Sequence, residues 1–162
     1  MALEKAKAYL EEKGFGDRVY IPEHSSATVE EAAEALGCKP GMIAKTLSFL
    51  QGDQPVLILV EGMARIDNKK YKARFSCKAK MIPAEDVERL IGHAVGGVCP
   101  FGINDGVIVY LDESLKQHEI VYPAAGSDHS AVKLTIPELE QCSGYTEWVD
   151  VCKDPAFVAI PG

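Results

Sequence analysis

Apolar and polar positions alternate with two different periods along this chain. In residues 2–13, Leu3, Ala6, Ala8 and Leu10 make a helical stripe that Gly14 and Gly16 stop. Residues 18–22 read as a short strand. Thr28 followed by Glu31 forms a capping box for a helix through Leu36, ended by Gly37. The period then shortens: residues 43–50 and 55–61 predict two strands joined by a turn at 51–54. The second is apolar on both faces, as a central strand should be. Helices are predicted over 67–75 and 83–91, the latter with Pro83 near its first turn. A glycine-rich loop covers 92–106. Strands at 107–111 and 119–123 flank a short helix that starts at Asp112, and 132–135 is a last strand. Thr135 and Glu138 cap a helix ending near Ser143 and Gly144. No repeat or linker interrupts this order. The expectation is one α+β (mixed α/β) domain over residues 1–162, a curved, barrel-like mixed β-sheet flanked by short helices.

Composition narrows the class. With 162 residues, 47% hydrophobic and 25% charged, the chain can bury a sizeable core without disulfides or metal. Its apolar runs are too short to cross a bilayer, and residues 1–7 mix acid with base rather than forming a leader, so a cytoplasmic location and no membrane partner are expected. The five cysteines (Cys38, Cys77, Cys99, Cys142, Cys152) never form a Cys-x-x-Cys pair, and the histidines His24, His93, His118 and His129 are dispersed. Neither a disulfide framework nor a metal site is expected, and no cofactor.

Charge is unevenly spread. The net charge of −7 argues against coating nucleic acid, DNA included. Yet residues 68–83 contain Lys69, Lys70, Lys72, Arg74, Lys78 and Lys80 and no acid, leaving 11 basic against 24 acidic residues elsewhere. Such a window is either a solvated helix face and loop or a local phosphate-binding patch for one end of an RNA.

Two places break the local rules. In the strand at 43–50, Ile43, Lys45, Leu47 and Phe49 share a face, so a lysine sits among apolar side chains. Either its stem snorkels to the sheet edge, or its ammonium reaches a pocket where it could hold a phosphate, a carbonyl oxygen or an oxyanion. The second is the run from Gly92 to Gly102, whose four glycines let backbone approach a ligand while Pro100 stiffens the turn. It matches neither a Walker loop nor a Rossmann fingerprint. Cys99 within it lacks an evident activating base. Ser127, Asp128 and His129 are adjacent in sequence, which precludes triad geometry.

Ala44-Lys45-Thr46-Leu47, Arg65-Ile66-Asp67, the run Gly92 to Gly102, Leu111 to Leu115, and Ala124-Ala125-Gly126-Ser127 occur in this order. Together with the helix from Thr28 to Ala33, they resemble the YbaK and prolyl-tRNA synthetase editing-domain family over residues 20–140 or so. The resemblance implies a free-standing, trans-acting aminoacyl-tRNA deacylase. Its substrate would be a mischarged tRNA, with a small amino acid such as Ala or Cys on tRNA-Pro. It implies substrate-assisted hydrolysis with no metal and no covalent intermediate. Lys45 would anchor the terminal nucleotide through its phosphate. Gly96 and Gly97 open a Gly-x-x-x-Pro loop, ending at Pro100, whose backbone would contact the ribose and ester and place the attacking water. Thr46, Pro100, Phe101, Gly102, Gly126 and Ser127 would line the pocket, with His24 and Thr28 at the amino-acid side. Lys69, Lys70, Lys72 and Arg74 would meet the tRNA. Ala124 and Asp128-His129 stand where close YbaK-type members carry a serine and a basic pair, which leaves the aminoacyl group open. The rival readings are a non-catalytic aminoacyl-tRNA or nucleotide binder, and a module that docks on a synthetase.

Overall fold

The computed structural model describes residues 2–21, 29–94, 97–127 and 130–153. Its centre is a six-stranded mixed sheet built from β2 (Ile43–Gln51), β3 (Gln54–Glu61), β4 (Ile108–Asp112), β5 (Ile120–Pro123), β7 (Leu134–Thr135) and β8 (Glu147–Val149). The strand order is β7-β5-β2-β3-β4-β8, and the sheet curls into a half-barrel. β2 and β3 form the predicted antiparallel hairpin, with Ala44 opposite Glu61 and Gln51 opposite Gln54. β5 runs parallel to β2, and β4 parallel to β3. A separate pair joins β1 (Val19–Tyr20) to β6 (Ala131–Val132).

The both-face apolar run in β3 has the role its pattern requires. Val56, Leu57, Ile58, Leu59 and Val60 are all fully buried. Leu57 and Leu59 join a core with Leu111, Leu115, Leu134 and Leu139 on one face. Val56, Ile58 and Val60 join Phe49, Tyr71 and Val149 on the other. Each such side chain contributes about 1.5–3 kcal/mol on leaving water.

Five helices pack around the sheet: α1 (Ala2–Glu12), α2 (Val29–Leu36), α3 (Asn68–Phe75), α4 (Ala84–Ile91) and α5 (Ile136–Cys142). α1 buries Ala6 and Leu10 and half-buries Tyr9, whereas Ala8, expected on the buried stripe, is exposed. Asp67 caps α3, its side chain accepting from Lys69 N–H and Lys70 N–H. The predicted Thr135–Glu138 capping box opens α5. The Thr28 capping residue lies outside the described residues. Pro83 sits at the N-cap of α4, next to its first turn as expected. Among the described residues, no helix is long and apolar enough to cross a membrane.

The outer edge of β2 positions the site. β5 pairs with β2 only at Ile43–Tyr122 and Ala44–Pro123, and Pro123 has no N–H with which to extend the ladder. Farther along, residues 80–82 take the same edge: Leu50 N–H donates to Lys80 O at 2.8 Å, and Ile82 N–H to Ser48 O at 3.1 Å. Among the described residues, no strand takes that edge at residues 45–47.

Candidate active site

Lys45 and Thr46 stand at this gap and point to opposite faces. Lys45 pairs with Val60, on the face of Phe49 and Tyr71, and its stem is half-buried. Its Nζ donates to the Ala64 carbonyl at 2.7 Å, so the ammonium is held rather than left to snorkel. Burial lowers its pKa; Cys152 and Glu61 oppose this and Arg65 adds to it. Thr46 pairs with Leu59 and faces the other core. Its Oγ1 is buried without a hydrogen-bond partner among the described residues. A buried hydroxyl without a partner costs about 1–3 kcal/mol, which a ligand group could relieve.

The glycine loop and the 124–127 turn meet. After Pro123, where the pairing with β2 ends, the chain turns at Gly126 (φ 98°) and Ser127. A Cβ at Gly97 would lie 2.5 Å from the Gly126 carbonyl carbon and 2.6 Å from Ser127 N. Only glycine permits that approach. Ser130 ties the turn, its Oγ accepting from Ser127 N–H at 3.1 Å and from Ser127 Oγ at 2.8 Å. Below the loop, His93 is fully buried and its Nε2 donates to Phe101 O at 2.6 Å, closing the segment from 93 to 101. Burial lowers the His93 pKa, and its Nδ1 is buried without a hydrogen-bond partner among the described residues.

The other expected site residues divide by environment. Pro100 is buried. The Phe101 ring is fully buried against Tyr9, at 6.2 Å between centroids, which makes that ring part of the core. Gly102 approaches α1: a Cβ there would lie 2.9 Å from Lys5 O. Cys99 is fully buried, and its thiol is pushed up to about 12 by desolvation, opposed by backbone hydrogen bonds at Phe101 and Gly126. It is therefore a neutral thiol rather than a nucleophile. His24, Thr28, Gly96, Asp128 and His129 lie outside the described residues. A separate cleft of about 330 Å³ lies between α2 and β5, lined by Tyr20, Ile21, Ala35, Leu36, Tyr122 and Lys133, none of them an expected site residue.

The basic window splits in the same way. Lys70 Nζ donates to Cys152 O at 2.9 Å and pairs with Asp150 at 3.3 Å. Arg74 pairs with Glu147 and lies over the Phe75 and Tyr110 rings. Lys69, Lys72, Lys78 and Lys80 are exposed.

One cluster carried no separate prediction from the sequence. Glu61, which ends β3, is 7% exposed. His118 Nε2 donates to its Oε2 at 2.9 Å, and Met63 N–H to its Oε1 at 2.6 Å. Glu61 N–H donates to Ser114 Oγ at 3.0 Å. A carboxylate closing the run Val56-Leu57-Ile58-Leu59-Val60 was the available signal. Its partner lies 57 residues away, at a distance no local pattern reports.

The chain is similar to known proteins in both sequence and fold. Residues 23–142 match the family model of the aminoacyl-tRNA editing domain. The uncharacterized protein YwhH of Bacillus subtilis (strain 168) is 46% identical over 155 residues, covering 95% of this chain and 99% of its own length. The proline–tRNA ligase of Limosilactobacillus fermentum is 30% identical over 95 residues, which are 55% of this chain but only 17% of the ligase. A solved structure proposed as a trans-editing enzyme for prolyl-tRNA synthetase superposes with a TM-score of 0.85 at 32% identity, covering 94% of this chain and 98% of that one. By these matches the chain belongs to the aminoacyl-tRNA editing domain family, and its curled mixed sheet is the fold of that family.

Proposed function

We propose that this chain is a trans-acting aminoacyl-tRNA deacylase that hydrolyses the ester of tRNA-Pro carrying a small wrong amino acid, Ala or Cys. The observation that carries the reading is the interrupted edge of β2. There, Lys45 with its held ammonium and Thr46, whose hydroxyl has no partner among the described residues, lie on the open edge, and the strand that leaves it at Pro123 leads into the turn where Gly97 packs against the Gly126–Ser127 backbone. An aminoacyl ester is already activated, so the attacking water needs placement more than a strong base. Lys45 holds the terminal phosphate and the loop backbone orients the ester. No metal is required on this reading. A small pocket excludes proline better than it sorts smaller side chains, since one methylene is worth only about 1–3 kcal/mol. Exposed Lys69 and Lys72 add salt-dependent attraction for the tRNA body.

The test is deacylation of tRNA-Pro charged with Ala, Cys, Ser or Pro at low salt, with and without EDTA, and with Lys45→Ala alongside. Hydrolysis of the Ala or Cys ester, unchanged by EDTA and lost in Lys45→Ala, is the expected result. Binding without turnover across the panel by a folded protein rejects the deacylase in favour of a passive binder.

A further inference from the structure

We infer that Glu61 and His118 are positioning residues for Lys45, acting through the turn that carries the Ala64 carbonyl; the consequence for rate rests on the deacylase reading above. Lys45 Nζ is fixed by a backbone oxygen, so the ammonium is only as well placed as that oxygen. Ala64 lies in the turn after β3, and Glu61 ties that turn twice. Glu61 Oε1 accepts Met63 N–H at 2.6 Å, and Glu61 O accepts Ala64 N–H at 2.9 Å. The glutamate is gripped in turn from the segment after β4, where Ser114 Oγ accepts its N–H and His118 Nε2 donates to its Oε2.

The packing around this node leaves little slack. A Cβ at Gly41 would lie 2.6 Å from Glu61 Oε2 and 2.9 Å from His118 Nε2. One at Gly62 would lie 2.1 Å from Pro40 O and 2.8 Å from Ile43 O. The turn that enters β2 therefore seats directly on the residues that leave β3. Lys45 is four residues beyond Gly41, and its anchor Ala64 is two beyond Gly62. Both ends of the Lys45–Ala64 hydrogen bond thus start from one packed node, and the carboxylate–imidazole pair is its polar centre. A side chain in such a node sets the place of another group without touching substrate.

The experiment reads Lys45 directly. In protein labelled with ¹³C-lysine, the Lys45 ε-methylene signal, assigned by its absence in Lys45→Ala, is followed in Glu61→Ala, Glu61→Gln and His118→Ala. Single-turnover deacylation is measured on the same samples over a range of charged tRNA. Glu61→Ala is expected to move the Lys45 signal and to slow deacylation about 100-fold, the order that a 1 Å misplacement brings, with the half-saturating tRNA concentration unchanged. Glu61→Gln keeps an oxygen for Met63 N–H and restores most of the rate and the signal. His118→Ala removes one anchor and gives a smaller change of the same kind, which serves if Glu61→Ala does not fold. An unmoved Lys45 signal in a folded Glu61 or His118 variant overturns the inference. So does Glu61→Gln as slow as Glu61→Ala, since charge rather than turn geometry would then be at work. A wild-type rate in Lys45→Ala instead removes Lys45 from the deacylase reading, absence of turnover in the wild type removes that reading itself, and in both cases the signal still decides the positioning role.

Discussion

Gly97→Ala tests whether the contact between the loop and the 126–127 turn shapes the pocket. The added Cβ would lie 2.5 Å from the Gly126 carbonyl carbon and 2.6 Å from both the Gly126 oxygen and Ser127 N. Carbon contacts settle at about 3.5–4 Å, so the two segments must part by about 1 Å. All three opposing atoms are backbone, and no side chain can swing aside to absorb the change. Overpacking of this kind costs about 1–3 kcal/mol, which a domain of ordinary stability survives. The rate should suffer more, by about 100-fold, because the groups that place water and ester are the ones displaced. Gly106→Ala is the control. It sits at the far end of the same glycine-rich segment with φ +89° and nothing within 4 Å of the added Cβ. Its left-handed strain costs about 1–2 kcal/mol without moving the pocket. Single-turnover deacylation and urea unfolding of both variants separate the effects. A folded Gly97→Ala protein with the wild-type rate refutes the reasoning, as does an equal slowing in Gly106→Ala.

Three further predictions follow from the same geometry. Thr46→Val removes a buried hydroxyl that has no partner among the described residues, so it should raise stability by about 1 kcal/mol while slowing deacylation; a loss of stability on urea unfolding would show that Oγ1 is already satisfied. Lys45→Met bears on pH. Burial lowers the Lys45 pKa, so in the alkaline range below about 10.4 the unfolded chain holds the proton that the folded one has released, and wild-type stability rises with pH there. The variant should therefore be more stable near neutrality, with an advantage that shrinks as pH climbs toward that value; a constant advantage through the alkaline range contradicts it. Reversal of Lys69 and Lys72 to Glu should lower the slope of log K for tRNA against log salt by about one unit per residue. Lys70→Ala and Arg74→Ala should change stability more than that slope, because their partners are Asp150 and Glu147, and a slope unaffected by the Lys69 and Lys72 reversals removes the patch from the binding surface.

What could be read from the sequence was what local chemistry determines. The β2–β3 hairpin follows from alternation in one strand and a both-face apolar run in the other, and the α5 capping box from Thr135 and Glu138 alone. The run 132–135 reads as one strand. In the fold it is split, because Val132 pairs with Val19 and Leu134 with Val121, while Lys133 N–H donates to Arg18 O. β8 went unpredicted: Glu147–Val149 has no period to detect and is a strand only because β4 offers it an edge. Lys45 was legible as a lysine on an apolar face. Its partner was not, since a backbone carbonyl such as that of Ala64 has no signature in the side-chain pattern.

The interruption of the sheet explains why polarity falls where it does in β2. A strand edge left unpaired exposes backbone donors and acceptors, and these must find water, a side chain or a ligand. Pro123 ends the pairing with β5, and the segment at 80–82 takes the edge from Ser48 onward, so among the described residues the unpaired stretch is kept to residues 45–47. Within β2 that stretch carries the ammonium and the unpartnered hydroxyl, between buried Ala44 on one side and buried Phe49 on the other. Glycine packing on both sides, Gly41 with Gly62 at the start of the strand and Gly97 with Gly126 across the loop, then holds the opening at one width. On the deacylase reading proposed above, selectivity for a small aminoacyl group follows from that rigidity, because a pocket that cannot widen rejects the larger side chain before any contact has to recognise the smaller one.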